Sequence, residues 1–260
     1  MLKVTNLHKS FPDPKRRTTQ HVLRGVELEV HPGQFCCLIG HSGCGKSTLL
    51  NIMGGLDAPD RGQVTLDGAA VTGPGPDRAM VFQGYSLLPR LSLLANVREA
   101  ARAARPNRTR AENDAMVERY LRAVGLWEAK DRKPAQVSGG MAQRAAVARA
   151  FAVQPRVLLL DEPFGALDAL TRRRLQAELM DLWQHEEVET EMVVMVTHGI
   201  EEAVSLADKI VVLGNPPGPS VVSVMDVALP RPRIELEGAQ GIAHRAAQQQ
   251  LLGYLEIPAA

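Results

Sequence analysis

Apolar residues along the chain follow two spacings that take turns. Wholly apolar runs at 35–39 (Phe35-Cys36-Cys37-Leu38-Ile39), 157–160, 192–196 and 210–213 predict strands buried on both faces. Alternation at 2–7 and 26–30 predicts two half-buried strands, with a polar, basic, proline-containing loop at 12–20 between them. Residues 62–68 read as a strand closed by a turn, 79–82 as a short strand ending at Gln83, and 221–227 as the last strand, after a Pro/Gly turn at 215–220. Helical spacing marks 48–53, 170–185 and 200–207. From about 87 to 154 the pattern is helical only. Leu94, Val97, Ala101 and Ala104 follow the cap candidate Ser92, Met116, Tyr120, Leu121 and Val124 share a face of 109–124, and a third helix spans 141–153. Beyond Pro232 the pattern is less regular, with a short helix at 242–255. Apolar strands alternating with helices predict an α/β fold with a mainly parallel sheet covered on both faces, and the all-helical stretch reads as a subdomain inserted into it.

Composition narrows this picture. Hydrophobic residues make up 45% of the chain but aromatics only 4%, so the core must be aliphatic. Thirty basic residues against 29 acidic ones leave a net charge of +1, without the basic excess of a general nucleic-acid binder. The cysteines are Cys36, Cys37 and Cys44. Their odd number and spacing suit neither a disulfide framework nor a zinc site, which points to a reducing compartment. The first residues lack the shape of a signal peptide, and no stretch approaches the roughly 18 apolar residues of a membrane span, so work at a membrane would need other chains to hold this one there.

The chemistry starts at Gly40-His41-Ser42-Gly43-Cys44-Gly45-Lys46-Ser47, between a predicted strand and the helix opening at Thr48. This is G-x-x-x-x-G-K-[ST], a phosphate cradle. Glycines let the backbone turn its amides inward around an anion, Lys46 adds a charge that reaches the outer phosphates, Ser47 offers a hydroxyl to Mg²⁺, and the helix presents its positive end. Cys44 lies inside the loop, where a helix N-terminus can lower a thiol pKa; an inert small residue is the other reading.

Asp161 and Glu162 follow the apolar run 157–160, at the carboxyl end of a buried strand, the edge that faces ligands in parallel sheets. Asp161 is placed to hold Mg²⁺, and Glu162 to accept a proton from an attacking water. Ser138-Gly139-Gly140 precedes the third helix. Ser138 is a natural N-cap, and the two glycines bare amides at the helix start, a second anion site in one chain.

With these residues the chain resembles the ATP-binding subunit of ABC transporters over residues 1 to about 232. The loop 40–47 matches the Walker A motif, and 157–162 matches Walker B with its catalytic glutamate. Val137-Ser138-Gly139-Gly140-Met141 stands at the signature, Gln83 at the Q-loop, Gly165-Ala166-Leu167-Asp168 at the D-loop, His198 at the switch histidine, and Phe11 where an aromatic ring stacks on adenine. The resemblance implies a P-loop ABC-type core at 1–86 and 155–232, a small antiparallel β subdomain, a helical subdomain at 87–154, and a C-terminal extension at 233–260. It implies ATP and Mg²⁺ as cofactors. The loop residues Gly40, His41, Ser42, Gly43, Cys44, Gly45, Lys46, Ser47 and Thr48 would bind nucleotide together with Phe11, Gln83, Asp161, Ser138, Gly139, Gly140 and Asp168. Ser47, Gln83 and Asp161 would hold the metal, and Glu162, His198, Gln83 and Lys46 would serve hydrolysis.

The implied partners are a second ATPase subunit in an ATP-dependent homodimer, since Ser138 cannot easily reach its own phosphate loop, permease subunits contacting 83–90, and indirectly a periplasmic solute-binding protein. The implied place is the cytoplasmic face of the inner membrane, as a peripheral subunit, with no nucleic acid bound. Several pieces, among them Gly73-Pro74-Gly75-Pro76-Asp77-Arg78 and Leu229-Pro230-Arg231-Pro232-Arg233, look closest to importers of nitrate, sulfonate and taurine, nitrate first. A soluble ABC ATPase acting on nucleic acid is the contrasting class, but the long coiled-coil or zinc-binding inserts of such members have no counterpart here. Val137 and Met141 depart from the signature's usual Leu and Gln, Arg90 stands where relatives often have Trp, and Gly199 stands where an acid is common, a change expected to loosen the switch turn.

Overall fold

The computed structural model describes residues 1–13, 18–165, 167–185, 188–216, 218–233 and 238–256. The chain first forms β1 (Leu2–Asp13), β2 (Thr18–Val30), β3 (Phe35–Gly40), α1 (Lys46–Met53), β4 (Arg61–Leu66), β5 (Ala69–Ala70) and β6 (Arg78–Val81). Helices α2 (Leu93–Ala104), α3 (Arg110–Ala123) and α4 (Gly139–Ala152) follow, then β7 (Val157–Asp161) and α5 (Ala169–Trp183). The last part holds β8 (Met192–Val196), α6 (Ile200–Leu206), β9 (Lys209–Leu213), β10 (Val221–Asp226) and α7 (Gly238–Leu255). These elements group into two compact units, Met1–Gly75 with Glu191–Ala260, and Pro76–Thr190.

In the first unit β3 is flanked by β8 and β9, both parallel to it, and β10 closes the far side of β9 antiparallel. Every residue of β3 and β8 is buried, as their unbroken apolar runs require. A separate antiparallel sheet has the order β2-β1-β4-β5, with Val4, Leu23, Val26, Leu28 and Val64 buried. Its β4–β5 turn is Asp67-Gly68, with φ 49° and 81°, the left-handed pair of a two-residue hairpin loop.

Residues 12–20, expected as a loop, are mostly paired strand: Phe11 lies opposite Gln20, Pro12 opposite Thr19 and Asp13 opposite Thr18, while 14–17 lie outside the described residues. Cross-strand bonds satisfy the backbone there without a buried face, so no hydrophobic alternation marks the extension. Likewise α7 has 18 residues and starts earlier than the expected 242. It is seated by the buried Leu251 and by a 3.1 Å bond between His244 and Ser205 of α6.

The second unit holds the parallel pair β6–β7, in register from Arg78↔Val157 to Val81↔Leu160. Its helices begin where the sequence supplies caps. Ser92 accepts from the Ala95 amide, and Thr109 and Glu112 form a reciprocal capping box. The buried faces of α2, α3 and α4 meet around Val97, Ala101, Leu121 and Ala145, with the Tyr120 and Phe151 rings 6.0 Å apart. Parallel strands, an antiparallel β layer and a helical insert make this the mixed α/β architecture that the sequence predicts.

Candidate functional site

The loop 40–47 takes its shape from its glycines. Gly40 pairs with Leu213 across the β3–β9 ladder, and a Cβ there would lie 2.3 Å from the Leu213 carbonyl oxygen and 2.8 Å from the Cys44 sulfur. Gly43 has φ +84° and Gly45 φ +98°, and a Cβ on Gly45 would sit 2.8 Å from both Val22 and Leu23 of β2. The loop therefore closes tightly onto neighbouring backbone and side chains, and α1 opens at Lys46. Lys46 is only 5% exposed. Its ammonium donates to the carbonyls of Gly40 (2.8 Å) and His41 (2.9 Å) and lies 3.8 Å from the Cys44 sulfur. No side chain caps α1 and its first turn carries no acid, so nothing within the helix answers the positive end of its dipole.

A buried cation beneath a loop of turned amides at a helix start suits a polyphosphate, and the hydroxyl, amide and carboxylate oxygens of Ser47, Gln83 and Asp161 are the hard donors that Mg²⁺ takes. His41, Ser42, Gly43 and Ser47 are exposed and Thr48 is half-buried. The His41 ring also bonds the Leu255 carbonyl at the end of α7, at 2.9 Å.

Two further expected residues lie in this unit. Phe11 is exposed on β1, with the Lys9 ammonium 5.1 Å from its ring centroid; that ammonium is fixed by Asp57 and the Ala58 carbonyl. His198 stands two residues past the end of β8 and is exposed. The turn around it is fastened rather than loosened. The Thr197 hydroxyl donates to the Glu202 carboxylate and accepts from the Gly199 amide at 3.0 Å, so Glu202 of α6 holds the turn without an acid at 199.

The second unit carries the other group of expected residues. Asp161 ends β7, and Glu162 follows in the left-handed region, φ 47°, a conformation that costs a non-glycine residue roughly 1–2 kcal/mol and recurs at functional sites. The Gln83 amide donates to the Glu162 carboxylate at 3.2 Å, which joins the two motifs. Ser138 caps α4 by accepting from the Met141 amide at 3.3 Å, and Gly139 and Gly140 form its first turn. Asp168 caps α5, accepting from the Thr171 amide at 3.0 Å, and that bond holds its carboxyl below the usual range.

Other residues shape this region without any sequence signal for it. Tyr85 and Ser86, just after Gln83, are left-handed, and the Arg149 guanidinium donates to the Ser86 carbonyl. Asn96, buried in α2, accepts from the Leu88 amide and donates to the Leu88, Leu91 and Ser92 carbonyls, fixing the end of the segment 83–90. Residue spacing carries no mark of a left-handed backbone or of a side chain that serves a distant loop. Cys36 and Cys37 stay structural: burial pushes the Cys36 thiol up to about 12 and Cys37 well above its ordinary value.

Comparison with known proteins bears on the family. Residues 23–165 match the ABC transporter family. The nitrate import ATP-binding protein NrtD of Synechococcus elongatus is 48% identical over 225 residues, 86% of this chain and 80% of that protein. The bicarbonate transport ATP-binding protein CmpD of Synechocystis sp. is 47% identical over 232 residues, 89% of this chain and 80% of that protein. The bicarbonate transport ATP-binding protein CmpC of Synechococcus elongatus is 45% identical over 97% of this chain, yet the chain spans only 37% of its length. Among solved structures, the ATP-binding cassette MJ0796, a dimer in a post-hydrolysis state bound to ADP and Pi, superposes with a TM-score of 0.76 at 31% identity, covering 87% of this chain and 99% of that one. A family match over more than half of the chain, relatives near one-half identity along most of their length, and a shared cassette fold lead to one conclusion: the chain belongs to the ABC transporter family, as an ATP-binding domain.

Proposed function

We propose that this chain binds and hydrolyses ATP to energise an importer of a small anion, nitrate. The observation that carries the nucleotide chemistry is the loop 40–47, with Lys46 buried beneath it and the uncapped start of α1 behind it. For the anion, the support is the 48% identity to a nitrate import ATP-binding protein. Bicarbonate is the second reading, favoured by the 47% identity to CmpD.

In this proposal the loop amides of residues 41–45, Lys46 and Thr48 bind the phosphates, and Phe11 offers a ring face to the adenine. Ser47, Gln83 and Asp161 would hold Mg²⁺. Bound Mg²⁺–ATP supplies the phosphoryl group that water attacks. Glu162 takes the proton of that water on its carboxylate, and Gln83 keeps the carboxylate oriented through its amide. Lys46 stabilises charge on the outer phosphate, and His198 contacts it from the turn that Glu202 fastens.

Ser138, Gly139, Gly140 and Asp168 act on the nucleotide held by a second subunit, in a homodimer that ATP brings together. The segment 83–90 meets permease subunits, which take substrate from a periplasmic solute-binding protein. Among the described residues no helix is long and apolar enough to cross a membrane, which fits a peripheral subunit on the cytoplasmic face.

Glu162→Gln is expected to retain ATP binding and to lower hydrolysis by about 10²–10⁴; hydrolysis at the normal rate rejects Glu162 as the base. Light scattering of the same variant should show a dimer with ATP and a monomer without it, and a monomer under both conditions sinks the shared site. The transported anion is decided by ATPase measurements on the complex co-purified with its membrane and solute-binding partners. Stimulation by nitrate supports the first reading, stimulation by bicarbonate alone replaces it with the second, and stimulation by neither removes both.

A further inference from the structure

Within the second unit, the segment after Gln83 is held in a conformation that its residues do not favour. Tyr85 (φ 59°) and Ser86 (φ 49°) are consecutive left-handed residues, and neither is glycine. Local bonds tighten the turn, from the Tyr85 amide to the Phe82 carbonyl at 3.2 Å and from the Ser86 amide to the Gly84 carbonyl at 2.6 Å. One bond reaches it from outside: Arg149, half-buried in the last turn of α4, donates to the Ser86 carbonyl at 2.5 Å. The other end of α4 is touched as well. A Cβ on Gly139, the first residue of α4, would lie 2.9 Å from the Tyr85 hydroxyl oxygen, so the tip of the tyrosine lies against that glycine. The same segment begins at Gln83, whose amide bonds the carboxylate of Glu162, itself left-handed.

We propose that Arg149 and Tyr85 are positioning residues: Arg149 keeps the 85–86 turn left-handed, so that Tyr85 buttresses the first turn of α4 at Gly139 while Gln83 stays on Glu162. Resting on the ATPase reading above, this makes the turn the link between the proposed base and the signature glycines. Left-handed backbone at two adjacent non-glycine residues persists only where surrounding groups enforce it. A charge-assisted bond from Arg149 to the carbonyl of Ser86, the second left-handed residue, is such a group. Without it the turn relaxes toward right-handed or extended backbone. The Tyr85 ring then leaves Gly139, and the Gln83 side chain loses its fixed origin. A Cβ at Gly139 would push the tip of the tyrosine aside, a shift that a side-chain end can make.

Hydrogen exchange of the ligand-free full chain tests the link without nucleotide. Arg149→Met should speed exchange of the amides of 84–88 and of the first turn of α4 by about tenfold, while α2 and α3 keep their protection. In ATP turnover the same variant should lower kcat about tenfold with KM for ATP within about twofold, the split expected when orientation rather than binding is lost. Adding Ser86→Gly should recover part of the kcat, because glycine occupies the left-handed region without being held there. Arg149→Lys, which keeps the charge, should fall between wild type and Arg149→Met, and it stands in for Arg149→Met if the latter does not fold.

Faster exchange confined to the surroundings of residue 149, or spread evenly through the unit, overturns the link, as does an unchanged kcat or no recovery with Ser86→Gly. If the wild-type chain hydrolyses no ATP, the functional reading fails on its own, and the exchange pattern still decides whether Arg149 holds the turn.

Discussion

Among single residues, the glycines of the loop 40–47 show how differently the same residue type can be constrained. At Gly40 an added Cβ meets the Leu213 carbonyl oxygen at 2.3 Å, a backbone atom that cannot swing aside; at Gly43 nothing lies within 4 Å and only φ +84° resists substitution. Gly43→Ala should therefore cost roughly 1–2 kcal/mol of left-handed strain. Gly40→Ala should cost clearly more, because the β3–β9 ladder has to shift as well, and urea unfolding of the two variants would show the order; equal losses would mean that the loop relaxes more easily than its contacts imply. The motif makes both glycines legible in the sequence, but only the neighbouring strand separates them. The cysteines divide the same way. Spacing left Cys44 open as a reactive thiol, whereas the fold buries it with Cys36 and Cys37, so iodoacetamide should label none of the three in the native chain and all of them in denaturant.

Helices and turns in this protein are best read at their ends. Ser92 and Ser138 were visible as caps, because a small hydroxyl residue before a helical run has a local reason to be there, whereas Thr109, read as the first residue of its helix, caps it instead. Thr109→Ala should lower stability by about 1 kcal/mol, since it removes the hydroxyl that accepts from the Glu112 amide, while the backbone amide of residue 109 can still donate to the Glu112 carboxylate. Asn96 had no such signature. It is a polar residue within a buried helical stripe, and its partners lie in the preceding loop. Asn96→Ala leaves the Leu88 amide without its acceptor and should cost about 1–3 kcal/mol. Hydrogen exchange should quicken first at 88–92; unchanged exchange there would show that Asn96 does not hold the loop. The β1–β2 extension escaped the sequence for the converse reason: its pairing is made by backbone groups, and Phe11, Pro12, Thr18, Thr19 and Gln20 are all exposed, so no buried alternation marks it.

For the molecule as a whole, long-range polar ties secure the C-terminal part of the first unit. Asp208 accepts from the Phe35 amide at 2.9 Å, from Arg231 at 2.8 Å and from Arg233 at 3.2 Å, so one carboxylate joins the start of β3 to the proline-arginine segment after β10. In the sequence that segment served only to mark a branch of the family. Arg233 is buried and keeps the Leu229, Ala207 and Val227 carbonyls, so Asp208→Ala should cost about 1.5–3 kcal/mol, the worth of charge-assisted bonds, rather than the larger penalty of an orphaned buried cation.

Nearby, burial pulls the pKa of His244 below its ordinary 6.5. The unfolded chain then binds a proton that the native one resists, so the contribution of His244 is fully present above 6.5 and is lost as pH falls below it. The protection of α7 amides, measured relative to their intrinsic exchange rate at each pH, should fall on going from about pH 7.5 to 5.5, and less so in His244→Gln; the same fall in both proteins would acquit the histidine.

By itself the sequence determined the alternation of buried strands and helices, the phosphate loop, the Asp161-Glu162 pair and the helix starts, because each is written in spacings of a few residues that local sterics and burial enforce. Only the tertiary structure decided that Lys46 is tied down beneath its loop, that Gln83 bonds Glu162, that Arg149 bonds the Ser86 carbonyl, and that the Tyr85 tip rests against Gly139. Except for the Lys46 bonds within its own loop, those contacts join residues far apart in the chain. No periodicity records such contacts, because they form only once the elements have packed.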